Sequence, residues 1–211
     1  MQETVIVFDL NGVVLHLSPL RVTSLVWHSP YKWRMFVLAF NPWFVGYILR
    51  GLWRKQVLEH MINELAKRHT PFTPIRSTAL EIVNAQYVRP AMFILLKELR
   101  EKNYRLAILT NIGQESIEIL AKANPELFKL FDYIAHSSAN DGYCAKPNPK
   151  AFEKLVSTIS KEIPEKPRLI LIDDHQPNIT QAERMGMTGI RYRGIANLRK
   201  QLQKTGINLA T

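Results

Sequence analysis

The chain has 211 residues, of which 46% are hydrophobic and 22% charged, the balance of an ordinary globular protein. A mostly disordered chain is excluded, because there is enough apolar surface to offset conformational entropy. The single cysteine excludes a disulfide framework and a cysteine-based zinc site. With 28 Lys and Arg against 18 Asp and Glu, the formal charge is +10, which leaves nucleic acid, a membrane surface and anionic substrates to be weighed.

The opening residues, MQETVIVFDL, are acidic and strand-like. They lack a basic stretch before an apolar one, so no secretory signal is expected and a cytoplasmic location is. Residues 4–8 are a β-branched apolar run, predicted as a strand buried on both faces. From about 20 to 88 the pattern is helical, with breaks expected at Asn41-Pro42, Gly51 and 70–74. Beyond Pro90, helices are predicted over 91–102, 116–123, 150–160 and 180–185, the last stopped by Gly186. Strands are predicted over 105–109, 131–136, 169–172 and 189–192. Strands alternating with helices imply an α/β fold, a Rossmann-like parallel sheet covered on both faces.

Charge and aromatic content divide the chain. Residues 15–89 hold ten basic residues against three acids (Glu59, Glu64 and Glu81), and all four tryptophans. The other 136 residues carry only +3. The expected organisation is therefore an α/β core from 1–14 and 90–211, interrupted by a helical cap over 15–89.

Ligands in open parallel sheets bind beyond the carboxyl ends of the strands. The first predicted strand runs into Asp9-Leu10-Asn11-Gly12, the second into Thr110-Asn111, and the fourth into Asp173-Asp174. Lys146-Pro147 lies in the loop before the helix that leads to the fourth strand. Three polar strand ends and a lysine thus fall on one expected edge.

These segments resemble the four motifs of the haloacid dehalogenase (HAD) superfamily, in order and across nearly the whole chain. Phe8–Val14 resembles the first motif, Leu106–Asn111 the second, Lys146–Pro149 the third and Leu169–Asn178 the fourth. The insertion after the first motif resembles the helical cap of one subclass. In the superfamily's phosphatases an aspartate attacks phosphorus and forms an aspartyl-phosphate that water hydrolyses. The resemblance implies that Asp9 is this nucleophile. Lys146 would balance the charge of nucleophile and phosphate, and Thr110 and Asn111 would donate hydrogen bonds to the phosphoryl oxygens. Magnesium is the implied cofactor. Its ligands would be Asp9 and Asp174, with Asp173 beside them and a main-chain carbonyl from Asn11. Asn178 would fix the loop carrying Asp174.

One position departs from the pattern. Typical members carry a second acid two residues after the nucleophile, which protonates the leaving oxygen and later activates water. Here that residue is Asn11, whose amide hydrogen-bonds but cannot exchange a proton near neutral pH. Such acid–base assistance is commonly worth about 10²–10⁴ in rate. Three readings follow: a slow phosphatase, a protein that binds phosphorylated ligands or partners with little turnover, and a dehalogenase, whose halide leaving group needs no proton. The adjacent acids Asp173-Asp174 argue against the last, because they repel unless a cation compensates them. His16 and His175 titrate in a useful range, yet both are expected to be solvent-facing loop residues. Cys144 has no histidine partner in the sequence pattern and is expected to be a half-buried thiol.

The uncharged segment 35–49 lies between Arg34 and Arg50. It is too short to span a bilayer, which takes roughly 20 residues. Packing in the cap core is the first expectation; a roof over the site, a dimer contact and headgroup contact are the others. No helix-turn-helix, RNP-type or zinc-finger pattern is present, so specific nucleic-acid binding is not expected. The expected function is magnesium-dependent hydrolysis of a small phosphorylated metabolite. Basic charge in the cap would attract that anionic substrate, and membrane-surface contact would be minor.

Overall fold

In a computed structural model of the protein, the residues described are 3–53, 73–137, 144–163 and 165–209. Seven strands appear among them: β1 (Thr4–Phe8), β2 (Leu15–His16), β3 (Tyr87–Val88), β4 (Arg105–Gly113), β5 (Tyr133–Ser137), β6 (Arg168–Asp173) and β7 (Thr188–Arg191). Five make one parallel sheet in the order β5-β4-β1-β6-β7.

The central strand explains why the apolar runs are continuous. In β1, Val5, Ile6, Val7 and Phe8 are all fully buried, and Phe8 pairs with Ile108 on one side and Ile172 on the other. Because side chains alternate across a strand, Ile6 and Phe8 join one core with Leu106, Ile108, Ile170 and Ile172. Val5 and Val7 join the opposite core with Ala107, Leu109, Leu169 and Leu171.

Helices α5 (Pro90–Glu101) and α10 (Ile195–Lys204) cover the first face with Leu95, Leu96, Leu99, Leu198 and Leu202. Helices α8 (Pro149–Ser160) and α9 (Gln176–Arg184) cover the second with Phe152, Leu155, Ile159, Ile179 and Ala182. Each fully buried Leu, Ile or Phe among these contributes about 1.5–3 kcal/mol relative to an exposed one. Pro149 opens α8 behind the Asn148 side chain, which accepts a hydrogen bond from Lys150 N at 3.1 Å, a residue pairing suited to a helix start. Helices α6 (Gln114–Ala123) and the short α7 (Pro125–Phe128) follow β4.

Helices α1 (Pro19–His28), α2 (Lys32–Ala39), α3 (Pro42–Trp53) and α4 (Thr73–Asn84) lie between β2 and β3. These two strands pair antiparallel, Leu15 with Val88 and His16 with Tyr87. The chain therefore leaves for the helices and returns from them at one place. The buried hydroxyls of Ser29 and Thr78 meet at 3.2 Å and tie the end of α1 to α4. An Arg76–Glu115 ion pair ties α4 to α6.

Two expectations need correcting. The helix over Pro42–Trp53 passes through Gly51 without the expected break; the expected break at 70–74 falls largely outside the described residues. The aromatic segment does not pack as a core: Phe36, Val37, Phe40, Trp43 and Leu49 are all exposed, and neither α1 nor α2 buries a residue.

Candidate active site

Local folding brings the four motif segments together at the carboxyl edge. Asp9 follows β1, and its N–H donates to the Ile172 carbonyl of β6 at 2.8 Å, which locks the two strand ends side by side. Asp173 ends β6, and its carbonyl accepts from Tyr192 N at 2.8 Å. Strand β4 runs on past Leu109 through an irregularity to Gly113, so Thr110 and Asn111 sit within it. Lys146 reaches the edge from the segment between β5 and α8.

Lys146 is the hub. Its Nζ donates to Asp9 Oδ1 at 2.9 Å and to Asp173 Oδ2 at 2.6 Å, with all three residues buried. Its main chain is gripped by Asn111: Oδ1 accepts from Lys146 N at 2.6 Å, and Nδ2 donates to Lys146 O at 3.1 Å. Burial works against the ammonium, but Asp9 and Asp173 outweigh it and hold its pKa above the ordinary lysine value. Burial raises the Asp9 carboxyl; Lys146 opposes this, Asp173 and Asp174 add to it, and the net result is a pKa of about 6.

Asp9 Oδ1 also accepts from Leu10 N at 2.8 Å. Among the described residues Oδ2 accepts no hydrogen bond, which leaves one oxygen of this carboxylate unengaged. Asp173 is fully enclosed, accepting in addition from His175 N at 2.8 Å and from Asn178 Nδ2 at 3.0 Å on both oxygens. Asn178 thus reaches the Asp174 loop through Asp173, whose carboxylate ties the residues on either side of Asp174 together. Asp174 is exposed, and its carboxylate has no hydrogen-bond partner among the described residues.

Asp9, Asp173 and Asp174 each offer an oxygen, all within 4.8 Å of one another. Three carboxylates meet one ammonium, while Arg191 reaches only the Asp174 carbonyl, at 3.3 Å, and the Asp174 carboxylate has no ion-pair partner among the described residues. Hard oxygen donors in this number suit a hard divalent cation such as magnesium, so the residues fit the ion.

Gly12 lies in the first motif, and its role is visible only in the fold. It has φ of +85°, a region that L side chains rarely adopt. A Cβ there would lie 2.6 Å from Asp174 Oδ2. Glycine is what lets the Asp174 carboxylate lie against the turn after β1. The signal was in the sequence as the residue after Asn11, but its partner lies far along the chain.

Asn11 is exposed and its side chain has no partner among the described residues. Thr110 is buried, and Ile112 N donates to its Oγ1 at 3.5 Å. His175 is exposed as expected, whereas His16 is half-buried in β2. Burial, with Arg89 nearby, holds the His16 imidazole below its ordinary value, and Nε2 is buried without a partner among the described residues. Cys144 is half-buried, as expected.

A five-stranded parallel sheet with a lysine clasped between two strand-end aspartates defines an α/β protein with a charged cluster at the carboxyl edge of its sheet. The family of haloacid dehalogenase-like hydrolases matches residues 4–186, and the chain belongs to this family. A probable pseudouridine-5'-phosphatase from Drosophila melanogaster is 27% identical over 184 residues, 86% of this chain and 78% of that protein. Among solved structures, a HAD phosphatase from Thermococcus onnurineus is similar over 96% of this chain and 98% of its own, with TM-score 0.66 and 20% identity. An L-2-haloacid dehalogenase from Xanthobacter autotrophicus is similar over 99% and 85%, with TM-score 0.58 and 17% identity. No helix among the described residues is long and apolar enough to cross a membrane.

Proposed function

We propose that this hydrolase is a magnesium-dependent phosphatase of a small phosphorylated metabolite, with 1–14 and 90–211 as its core and 15–89 as its cap. The observation that carries this reading is the convergence of Asp9, Asp173 and Asp174 around Lys146. Such a charge balance suits a dianionic group bound with a cation. The phosphatase relative and the phosphatase structure support it. A cytoplasmic site of action, in line with the single cysteine, belongs to the same reading.

In this mechanism Asp9 attacks phosphorus through its unengaged oxygen. A P–O bond to Asp9 forms as the ester P–O bond breaks, and the leaving oxygen departs with the electron pair. Lys146 holds Asp9 in its ionised, attacking form and offsets charge on the phosphoryl group. Thr110 Oγ1 and the remaining amide hydrogen of Asn111 serve the phosphoryl oxygens. Asp9, Asp174 and the Asn11 main-chain carbonyl, with Asp173 beside them, would hold magnesium, which when bound would neutralise charge on the phosphoryl group. Water then cleaves the aspartyl-phosphate, releasing inorganic phosphate and restoring Asp9.

Asn11 has no proton to give the leaving oxygen, so esters with good leaving groups are the favoured substrates. The same observation favours a second reading, a phosphate-binding protein with little turnover. Hydrolysis of an activated aryl phosphate with magnesium separates the two. The phosphatase reading expects turnover by the native chain, abolished in Asp9→Asn. An inert native chain that gains activity only as Asn11→Asp supports the binding reading instead.

A further inference from the structure

The surface of the helical segment carries an aromatic display that the site chemistry does not use. Helix α2 is apolar around most of its circumference, yet it lies at the surface. Met35 and Leu38 are half-buried, whereas Trp33, Phe36, Val37 and Phe40 are 71%, 58%, 66% and 72% exposed. Their spacing of i, i+3, i+4 and i+7 is one stripe of a helix. The stripe that would ordinarily face a core here faces outward.

The stripe is continuous. Phe36 contacts Trp33 and Phe40, with ring centroids 6.4 and 4.9 Å away. On α1, Trp27 and Leu20 are 71% and 81% exposed, and Lys32 Nζ lies 5.4 Å from the Trp27 ring. On α3, Trp43 is 54% exposed and stacks on Tyr47 at 5.8 Å. Exposed apolar surface this contiguous marks an interaction site.

The charge around it selects the occupant. No Asp or Glu occurs in α1, α2 or α3, whereas Lys32 lies over the Trp27 ring and Arg34 is exposed on α2 itself. A two-fold dimer would set this acid-free surface against itself, because the same patch meets on both subunits, and like charges would face each other. An anionic surface meets no such penalty. Tryptophans flanked by Lys and Arg on short surface helices are suited to the headgroup boundary of a bilayer. We propose that the outward stripe of α2, with Trp27 of α1 and Trp43 of α3, docks this hydrolase on an anionic lipid membrane without crossing it. The proposal is independent of the chemistry assigned to the active site.

The test is cosedimentation of the full chain with vesicles of phosphatidylcholine alone and of equal parts phosphatidylcholine and phosphatidylglycerol. Binding is expected to the mixed vesicles at low ionic strength, falling severalfold as salt screens the surface. Tryptophan emission should shift to the blue and be quenched by bromine-labelled lipid. Trp33→Ser, Phe36→Ser and Phe40→Ser combined should weaken binding about tenfold or more, with unchanged circular dichroism because the stripe supports no core. Arg34→Glu should weaken binding to mixed vesicles only. If the triple variant unfolds, the bromine quenching of the native chain decides the matter. Equal binding to both vesicle types, or none to either, overturns the proposal. A concentration-dependent dimer abolished by the triple variant, without vesicle binding, overturns it in favour of a second copy.

Discussion

The Asn111 side chain closes both of its hydrogen bonds on the main chain of Lys146, accepting from the N–H at 2.6 Å and donating to the carbonyl at 3.1 Å. A residue expected to serve only the substrate thus also sets where the site's ammonium stands. Asn111→Ala removes both bonds at once. With each such bond worth about 0.5–1.5 kcal/mol, a loss of roughly 1–3 kcal/mol is expected in urea unfolding. Turnover of an activated phosphate ester should fall with it. Unchanged stability would mean that the Lys146 segment is held by other contacts.

Lys146→Met tests the hub itself. It leaves Asp9 and Asp173 buried beside each other without their shared cation. Removing one partner of a buried pair typically costs about 3–5 kcal/mol. The Asp9 carboxyl should then rise above its value of about 6, because Lys146, which opposes the effect of burial, is gone. The measurement is denaturant unfolding across pH. A stability loss at pH 4 as large as at pH 8 would contradict the electrostatic account, since protonation relieves the repulsion at the lower pH.

The raised Asp9 pKa has a sign that can be checked in the native chain without divalent metal. The folded state holds this proton more tightly than the unfolded one, whose value is near 3.8. The Asp9 contribution to stability is therefore fully present below 3.8 and is lost as pH rises through about 6. Asp9→Asn should flatten that slope. The ionised form is also the attacking one, and a bound cation would favour it, so with magnesium the rise of turnover with pH should lie below that range.

Gly12→Ala combines a strained φ of +85° with a Cβ placed 2.6 Å from Asp174 Oδ2. Asp174 must move, and with it one of three converging oxygens. The expected result is a weaker apparent affinity for magnesium in the activity assay, together with a stability loss of about 1 kcal/mol or more. Unchanged magnesium dependence would remove Asp174 from the ligand set.

What the sequence made legible follows from where the apolar residues stand. The run TVIVF is strand β1 residue for residue, because a central parallel strand is apolar on both faces. Asp9, Lys146 and Asp173 were readable as strand-end or loop polar groups beyond such runs, and they do meet. Strands β2 and β3 have two residues each, too few for any periodicity. Helix α10 was not among the expected elements, although Leu198 and Leu202, its buried residues, recur at helical spacing among Arg, Lys and Gln. The outward face of α2 was misread for a physical reason: an apolar stripe at helical spacing specifies a buried face, but not what buries it. The Asn111 clamp and the Gly12–Asp174 approach join residues distant in sequence, and no local pattern reveals them.

The central claim is that Asp9 carries the phosphoryl group. With Asn11 unable to activate water, the second step should be slow once a good leaving group has made the first one fast. Rapid mixing with p-nitrophenyl phosphate and magnesium, followed by mass spectrometry of the quenched and digested chain, tests this directly. The account predicts a burst of nitrophenol close to one equivalent per chain, with phosphate on the peptide containing Asp9, and a shorter-lived phosphopeptide in Asn11→Asp. An absent burst, with no phosphopeptide in either chain while Asp9→Asn turns over like the native protein, would contradict it.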